Sequence, residues 1–126
     1  MSSLGYHPAV RVAGHKSNLR LLVRRPGALA RKYHPALLLA LIGATLDGLT
    51  TYRMLTAFGH ATELHLVVRL VVWIVGVPAG VPLAMIAKTA CAILVACIWR
   101  RWCECILNLY GLTGIVGAIC NHFNLL

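Results

Sequence analysis

Residues 36–58 read ALLLALIGATLDGLTTYRMLTAF, and this stretch decides the fold class. A helix needs about 20 mostly apolar residues to cross the hydrocarbon core of a bilayer. The stretch meets that need with two charged residues, Asp47 and Arg53. Pro35 just before it suits a first helical turn, and Gly59 just after it suits a helix end. We therefore predict a transmembrane helix over 36–58.

Two further stretches, 78–99 and 105–123, are also long and apolar enough to span a bilayer. The stretch 64–77 is apolar too, but it is shorter, contains Arg69, and is followed by the Gly- and Pro-rich break at 76–82. Short apolar segments of this kind are typical of re-entrant or interfacial helices. The sequence thus predicts an all-α integral membrane protein with three transmembrane helices and one short re-entrant or interfacial helix.

The composition supports a membrane location. Of the 126 residues, 60% are hydrophobic and 12% are charged, whereas soluble domains usually carry about 25% charged residues. A chain of this length exposes much of its surface when folded. A water-soluble core cannot hide so many apolar side chains, and lipid must cover part of them.

The positive charge is concentrated near the N-terminus. The formal net charge is +9, and seven of the twelve Lys and Arg residues precede residue 33, whereas the first acid is Asp47. We therefore divide the chain into a basic N-terminal arm on the cytoplasmic side, 1–35, and a transmembrane domain, 36–126. The arm cations expected to contact lipid headgroups or a partner protein are Arg20, Arg24, Arg25, Arg31 and Lys32.

Part of the arm has an amphipathic pattern. Over 18–25, the residues Leu19, Leu22 and Val23 would share one face of a helix, with the arginines elsewhere. Such a helix would lie on anionic headgroups. Nucleic-acid binding is not expected, because the arm has only two aromatic residues, Tyr6 and Tyr33, for base stacking.

The distribution of cations also predicts the topology. Lys and Arg collect on the cytoplasmic side of a membrane. With three spans and the arm inside, Arg100 and Arg101 also lie inside, whereas a fourth span over 64–77 would place them outside. We predict three spans in a bacterial inner membrane, with the N-terminus in the cytoplasm. The mitochondrial inner membrane is the alternative, since the arm resembles a transit peptide in being rich in Arg and free of acids.

Two opposite charges are predicted at the same depth. Asp47 and Lys88 each lie about 17 Å from the inner end of their predicted span at helical rise. Because a charge at this depth needs a partner, we predict an ion pair between them. Thr50 and Thr51 follow at helical spacing and should line the same face. Two interpretations stay open, namely a pair that sets helix register and a relay for protons or ions.

Small residues in the first span and in the third span favour tight helix packing. Spacings of about one helical turn between small residues let helix backbones approach each other. The residues concerned are Ala44 and Gly48 in the first span and Gly111, Gly114 and Gly117 in the third.

The five cysteines all lie in the apolar part of the chain, and their odd number does not indicate a secreted disulfide framework. We interpret them as small, buried apolar residues. Cys103 and Cys105 are close in sequence, but side chains two residues apart point in different directions on a helix. A metal or redox site at this pair is therefore the weaker interpretation.

A cluster of potential metal ligands is predicted at the outer face. His60, Glu63 and His65 follow the first span, and His122 ends the third span on the same side. Imidazole and carboxylate groups bind Zn and other transition metals, and two of the histidines could hold a haem. The alternative is that these side chains are solvated or bonded to one another. We expect no resident cofactor, with bound lipid as the natural ligand and metal or haem as the alternative.

Signatures of catalysis are lacking in the sequence. It contains no Gly-rich phosphate-binding loop. Its serines all precede residue 18, so no nucleophile elbow is predicted. With three acids in the whole chain, chemistry by paired carboxylates is not expected. We therefore expect a protein that is not an enzyme.

Polar residues in and between the predicted spans resemble the sequence pattern of a known family. L-D-G-L-T-T-Y at 46–52, T-E-L-H-L-V-V-R-L at 62–70 and a later helix with a lysine resemble a family of small bacterial membrane proteins known only as a domain of unknown function. The family pattern is D-x-x-T-T, then E-x-N-P or E-x-H-P, then a lysine in the next span. The matching positions are Asp47, Thr50, Thr51, Glu63, His65 and Lys88.

The resemblance covers about 38–123, and Asn121 echoes the aromatic-Asn ending of the family. Leu66 stands where the family has proline. The resemblance implies a fold and a set of polar residues, but no activity.

These observations favour an accessory or structural subunit of a larger membrane complex, with lipids and other membrane subunits as partners. A respiratory, photosynthetic or similar bioenergetic complex would be a natural host. One alternative is a small oligomeric carrier of ions or protons that uses Asp47 and Lys88. Another is a membrane protein that binds metal or haem through its outer histidines.

Overall fold

The computed structural model describes residues 18–59 and 66–124, and the regular structure within these ranges is entirely helical. A 3-10 turn, Arg100–Trp102, joins the last two helices. The helices are α1 (Leu19–Arg24), α2 (Pro26–Lys32), α3 (His34–Phe58), α4 (Leu66–Val75), α5 (Val77–Ile98) and α6 (Cys103–Asn124).

Three of these helices, α3, α5 and α6, are long and apolar enough to cross a membrane. The shortest of them has 22 residues, or about 33 Å at helical rise, against a hydrocarbon core about 30 Å thick. The predicted all-α class is confirmed, and the three predicted spans are confirmed as helices able to cross a membrane, with ends that differ from the predictions by at most two residues.

Helices α3 and α6 approach each other backbone to backbone. A β-carbon at Gly111 would lie 2.7 Å from the carbonyl carbon of Leu39, and one at Gly114 would lie 2.6 Å from that of Gly43. Contacts this short leave room for glycine alone. The predicted tight packing is found at Gly111 and Gly114, but it involves Leu39 and Gly43 on α3 and not the predicted Ala44 or Gly48. Gly48 instead faces Met85 of α5, whose Cγ lies 3.0 Å from the glycine's β-carbon position.

Helix α4 folds back against α5 through a single glycine. Gly76 has φ 82° and ψ 164°, a region of backbone space that is essentially restricted to glycine. A β-carbon at Gly80 would lie 2.7 Å from the Cα of Val72, so the two helices touch just after the turn. The ten residues of α4 span about 15 Å, about half of the hydrocarbon thickness. Residues 64 and 65 of the predicted segment lie outside the described residues, and the choice between three and four spans stays a prediction.

Helices α1 and α2 belong to the packed core. Leu29 of α2 and Tyr33 just after it are buried together with Ala36, Cys97 and Cys103. The predicted boundary after residue 35 therefore does not correspond to a boundary in the structure, because the chain from residue 18 onward packs against α5 and α6.

The predicted amphipathic helix is present as α1, but its apolar face differs from the prediction. Leu19, Leu21 and Leu22 pack against the core, whereas Val23 is 81% exposed. Tertiary contacts explain why a different face of α1 packs inward. The helix has six residues, and the side that faces α5 is set by its attachment at Asn18.

Most described cations lie at one end of the bundle, which we call the basic end. There α3 and α6 begin and α5 ends, next to α1 and α2. All of these cations are exposed. The residues are Arg20, Arg24, Arg25, Arg31, Lys32, Arg100 and Arg101.

The cysteines only partly follow the interpretation from sequence. Cys97 and Cys103 are buried in the core at the basic end, but Cys91, Cys105 and Cys120 are exposed on the outer surface of the bundle. The interpretation that all five are buried is therefore wrong for three of them. Cys103 and Cys105 do point in different directions, since one is buried and the other exposed.

Candidate functional site

An ion pair joins the first and second spans in the middle of the bundle. The Nζ atom of Lys88 on α5 lies 3.3 Å from Oδ2 of Asp47 on α3. The Lys88 side chain is 27% exposed and that of Asp47 is 18% exposed. Asp47 lies about 20 Å along α3 from its first residue at helical rise, well inside the apolar region. Each charge therefore has its partner where water is scarce.

The third span closes one side of this pair. The Oδ1 atom of Asp47 lies 2.9 Å from the position that a β-carbon of Gly117 would occupy. Any larger side chain at residue 117 would push the carboxylate away from its present position. Glycine here lets α6 pack directly against the charged group.

One turn further along α3, two threonines contact α6. The Nδ2 atom of Asn121 donates a hydrogen bond to Oγ1 of Thr51 at 3.2 Å, and it lies 3.5 Å from Oγ1 of Thr50. Thr50 donates its hydroxyl proton back to carbonyl oxygens of its own helix, at Leu46 and Asp47. Thr51 is 3% exposed, so the bond from Asn121 satisfies a hydroxyl that neither water nor lipid reaches.

A third polar contact ties the second span to the third. The hydroxyl oxygens of Thr89 and Tyr110 lie 3.0 Å apart, and Thr89 also donates to the carbonyl oxygen of Met85. Thr89 follows Lys88 directly, so α5 presents two adjacent polar contacts to the other spans. Within the described ranges, every buried side-chain nitrogen or oxygen has a hydrogen-bond partner.

The ion pair and the bonds from Asn121 form a polar cluster that joins all three spans, and we define it as Asp47, Thr50, Thr51, Lys88 and Asn121. The opposite charges neutralise each other, and the amide and hydroxyl groups satisfy each other. Such a cluster can hold three helices in one register, because a shift along any axis would leave a charge or an amide without its partner in a medium of low polarity.

Asn121 and Gly117 are the members of this arrangement whose contacts the sequence analysis missed. Thr51 lies about 26 Å along α3 and Asn121 about 27 Å along α6, counted from the first residue of each helix at helical rise. Thr51 and Asn121 therefore lie at similar depths, as Asp47 and Lys88 do, and the same argument from helical rise would have predicted their contact. Gly117 is one turn before Asn121 on the same face of α6.

Of the four predicted metal ligands, His122 alone lies within the described residues. His60, Glu63 and His65 lie outside the described residues. His122 is exposed near the end of α6, and its ring packs edge-on against Phe123 with ring centroids 6.3 Å apart. Among residues 18–59 and 66–124, no three His, Cys, Asp or Glu side chains come together in a way that could hold a metal ion. The outer metal or haem site stays a prediction.

Comparisons with protein-family models, with curated proteins and with solved structures find no match to this chain. The resemblance to the uncharacterised bacterial family therefore stays a prediction as well. The class supported by the fold is an all-α membrane protein with three helices able to span a bilayer.

Proposed function

We propose that the chain is a non-catalytic subunit of a larger membrane assembly, in which the polar cluster is a structural device. The observation that carries this proposal is the direct 3.3 Å contact between Lys88 and Asp47, with Gly117 packed against the other carboxylate oxygen. A carboxylate held in this way by two neighbouring helices serves to fix those helices. A relay would instead need further groups to receive the proton.

The outer surface of the bundle supports a role within an assembly. In the most apolar part of α3 and of α5, 28% of the residues are buried inside the chain, and in α6 the share is 22%. Most of each span is therefore covered by lipid or by other proteins. A small bundle with a fixed internal register and a wide apolar surface suits packing between larger subunits.

The orientation that we propose follows from the basic end. Seven exposed cations lie there, and Lys and Arg concentrate on the cytoplasmic side of membranes. We place the basic end in the cytoplasm of a bacterial inner membrane, or in the matrix if the membrane is mitochondrial. The short helix α4 then lies on the outer side as a re-entrant or interfacial helix.

Gentle detergent extraction of the native membrane tests the subunit proposal. The extract would be separated on a native gel, and the band that contains this chain would be analysed by quantitative mass spectrometry. We expect a large assembly with the chain in fixed ratio to other proteins. A band that contains only this chain would overturn the proposal.

A second candidate function is a carrier of protons or ions, and one observation favours it. Both partners of the ion pair keep part of their side chains exposed, 27% for Lys88 and 18% for Asp47, so a small ion could reach them if neighbouring copies of the chain enclosed water against this surface. Three spans hardly enclose a path, so this function would require several copies of the chain.

Proteoliposomes distinguish the two functions. The double variant Asp47→Asn with Lys88→Met would abolish transport of protons or ions if the pair carries them. If the pair is structural, neither the wild type nor the double variant transports ions above the rate of empty liposomes.

A further inference from the structure

A surface groove lies where α5 ends and α6 begins, at the basic end. It has a volume of about 680 Å³, within the range of about 300–1,000 Å³ that is typical of small-molecule sites. Its lining combines the connection between the two spans with the first two turns of α6. The lining residues are Trp99, Arg101, Trp102, Cys105, Ile106 and Leu109.

The lining changes from polar to apolar along the membrane normal. Arg101 and Trp102 lie in the connection between two spans, at the level where a bilayer meets water. Leu109 lies about 10 Å further along α6 at helical rise, inside the apolar region. Indole side chains favour this boundary. The groove is lined by two of them, Trp99 just after α5 and Trp102 just before α6, on either side of Arg101 in the sequence.

The charge around the groove favours an anion. Arg101 is one of seven exposed cations at this end of the bundle. Glu104 is the only acid there among the described residues, and it does not line the groove. A guanidinium group binds phosphate through paired hydrogen bonds in a fixed planar geometry, so Arg101 suits a phosphate at the mouth of the groove.

We propose that this groove is a binding site for one anionic glycerophospholipid. Its phosphate contacts Arg101, the two indoles flank its glycerol region, and an acyl chain lies along Ile106 and Leu109. A free phosphate would leave the apolar wall without a ligand. A transmembrane helix of another protein would leave Arg101 without an anion. The order of cation, indoles and apolar wall matches the order of groups along a phospholipid.

Native mass spectrometry of the full chain tests this site. The chain would be released from nanodiscs that contain equal amounts of phosphatidylglycerol and phosphatidylcholine, and the lipids retained would be counted. We expect one phosphatidylglycerol per chain, retained about tenfold more than phosphatidylcholine, as for one charge-assisted interaction. The Arg101→Gln variant should lose this preference, whereas Arg100→Gln, a matched change outside the groove, should keep it.

A second pair of variants tests the apolar wall without affecting folding. Leu109 is 64% exposed and Leu112 is 52% exposed, so either accepts a larger side chain. Leu109→Trp should narrow the apolar wall and reduce the amount of retained lipid. Leu112→Trp lies on the same helix outside the groove and should leave lipid binding unchanged.

Several outcomes would overturn the proposal. Equal loss of lipid in Arg100→Gln and Arg101→Gln would mean diffuse attraction by the basic end. Retention of both lipids to the same extent, or displacement of the lipid by soluble glycerol phosphate, would exclude an anionic phospholipid as the specific ligand. A photo-crosslinking residue at position 109 should form lipid adducts in native membranes. An adduct with another polypeptide would identify a protein as the occupant instead.

Discussion

A β-carbon at Gly117 would lie 2.9 Å from the Oδ1 atom of Asp47, so the third span packs directly against the carboxylate of the first. The same glycine lets the two helices touch and covers one side of the ion pair. One turn earlier, a β-carbon at Gly114 would lie 2.6 Å from the backbone of Gly43. The spacing of glycines on α6 thus determines both the helix contact and the position of the charge.

We expect alanine to be tolerated differently at these two glycines. Gly114→Ala should lower the free energy of unfolding by about 3 kcal/mol, because a methyl group there meets rigid backbone. Gly117→Ala should cost about 1 kcal/mol, since the contact is with the tip of a side chain that can shift. Unfolding would be followed by circular dichroism in detergent micelles with increasing sodium dodecyl sulfate.

Gly27 provides the control for these substitutions. It lies within α2, and a β-carbon there would have no other atom within 4 Å. Gly27→Ala should leave stability unchanged or raise it by about 0.5–1 kcal/mol, since alanine favours a helix. Equal effects of Gly27→Ala and Gly114→Ala would show that α3 and α6 do not pack closely.

Because Asp47 and Lys88 form an ion pair, the losses of stability caused by substituting each of them should not add in the double variant. Asp47→Asn or Lys88→Met alone leaves one charge without its partner, and each should destabilise the protein by about 2 kcal/mol. This value is below the range of about 3–5 kcal/mol for fully buried pairs, since both side chains are partly exposed. The double variant should be close to the wild type in stability, because no charge is left unpaired. Additive losses measured by the same unfolding assay would mean that the two residues do not interact.

The hydrogen bond between Asn121 and Thr51 should give a smaller coupling free energy than the ion pair. Asn121→Ala removes the donor to a buried hydroxyl, and the loss should be about 0.6–1.7 kcal/mol, the range of hydrogen bonds between membrane helices. After Thr51→Val, the same change at Asn121 should cost less, because its main acceptor is gone. Asn124→Ala, at an exposed residue on the same helix, is the control and should have no effect. A cost for Asn121→Ala that is the same with and without Thr51→Val would contradict the contact.

The attachment of α1 depends on one buried amide. The side chain of Asn18 donates to the hydroxyl of Tyr33 at 3.0 Å, and its backbone N–H donates to the carbonyl oxygen of Cys97 at 3.0 Å. Asn18→Ala should cost about 1–2 kcal/mol and should speed amide hydrogen exchange in α1. Arg20→Ala, an exposed change in the same helix, should leave exchange unchanged. Unaltered exchange in Asn18→Ala would show that α1 is held by other contacts.

The spans and the charged contact could be predicted from the sequence because both depend on position along a helix. Helical rise converts residue number into depth, and Asp47 and Lys88 have similar depths in neighbouring antiparallel spans. The contact between Thr51 and Asn121 obeys the same rule and was missed only because the rule was applied to charges alone. Gly43 was missed because its neighbour Ala44 is also small, and a composition pattern does not show which of two adjacent residues faces the partner helix.

The basic end was harder to predict from sequence. A run of cations without acids suggested a separate arm through residue 35, yet Leu29 and Tyr33 lie in the core beside Cys103. Apolar and polar residues alternate irregularly in this stretch, so no regular spacing shows which side chains pack inward. Which of them turn inward depends on the end of α5, where Asn18 finds a free carbonyl oxygen.

The sequence by itself predicted a membrane location, three helices long enough to cross the membrane and a common depth for Asp47 and Lys88. These properties follow from local composition and from the constant rise of a helix. The tertiary structure alone decided which helix faces meet, which glycines touch and which side chains line the groove at Arg101. Those properties depend on the rotation of each helix about its axis, and that rotation is set by contacts between residues far apart in the chain.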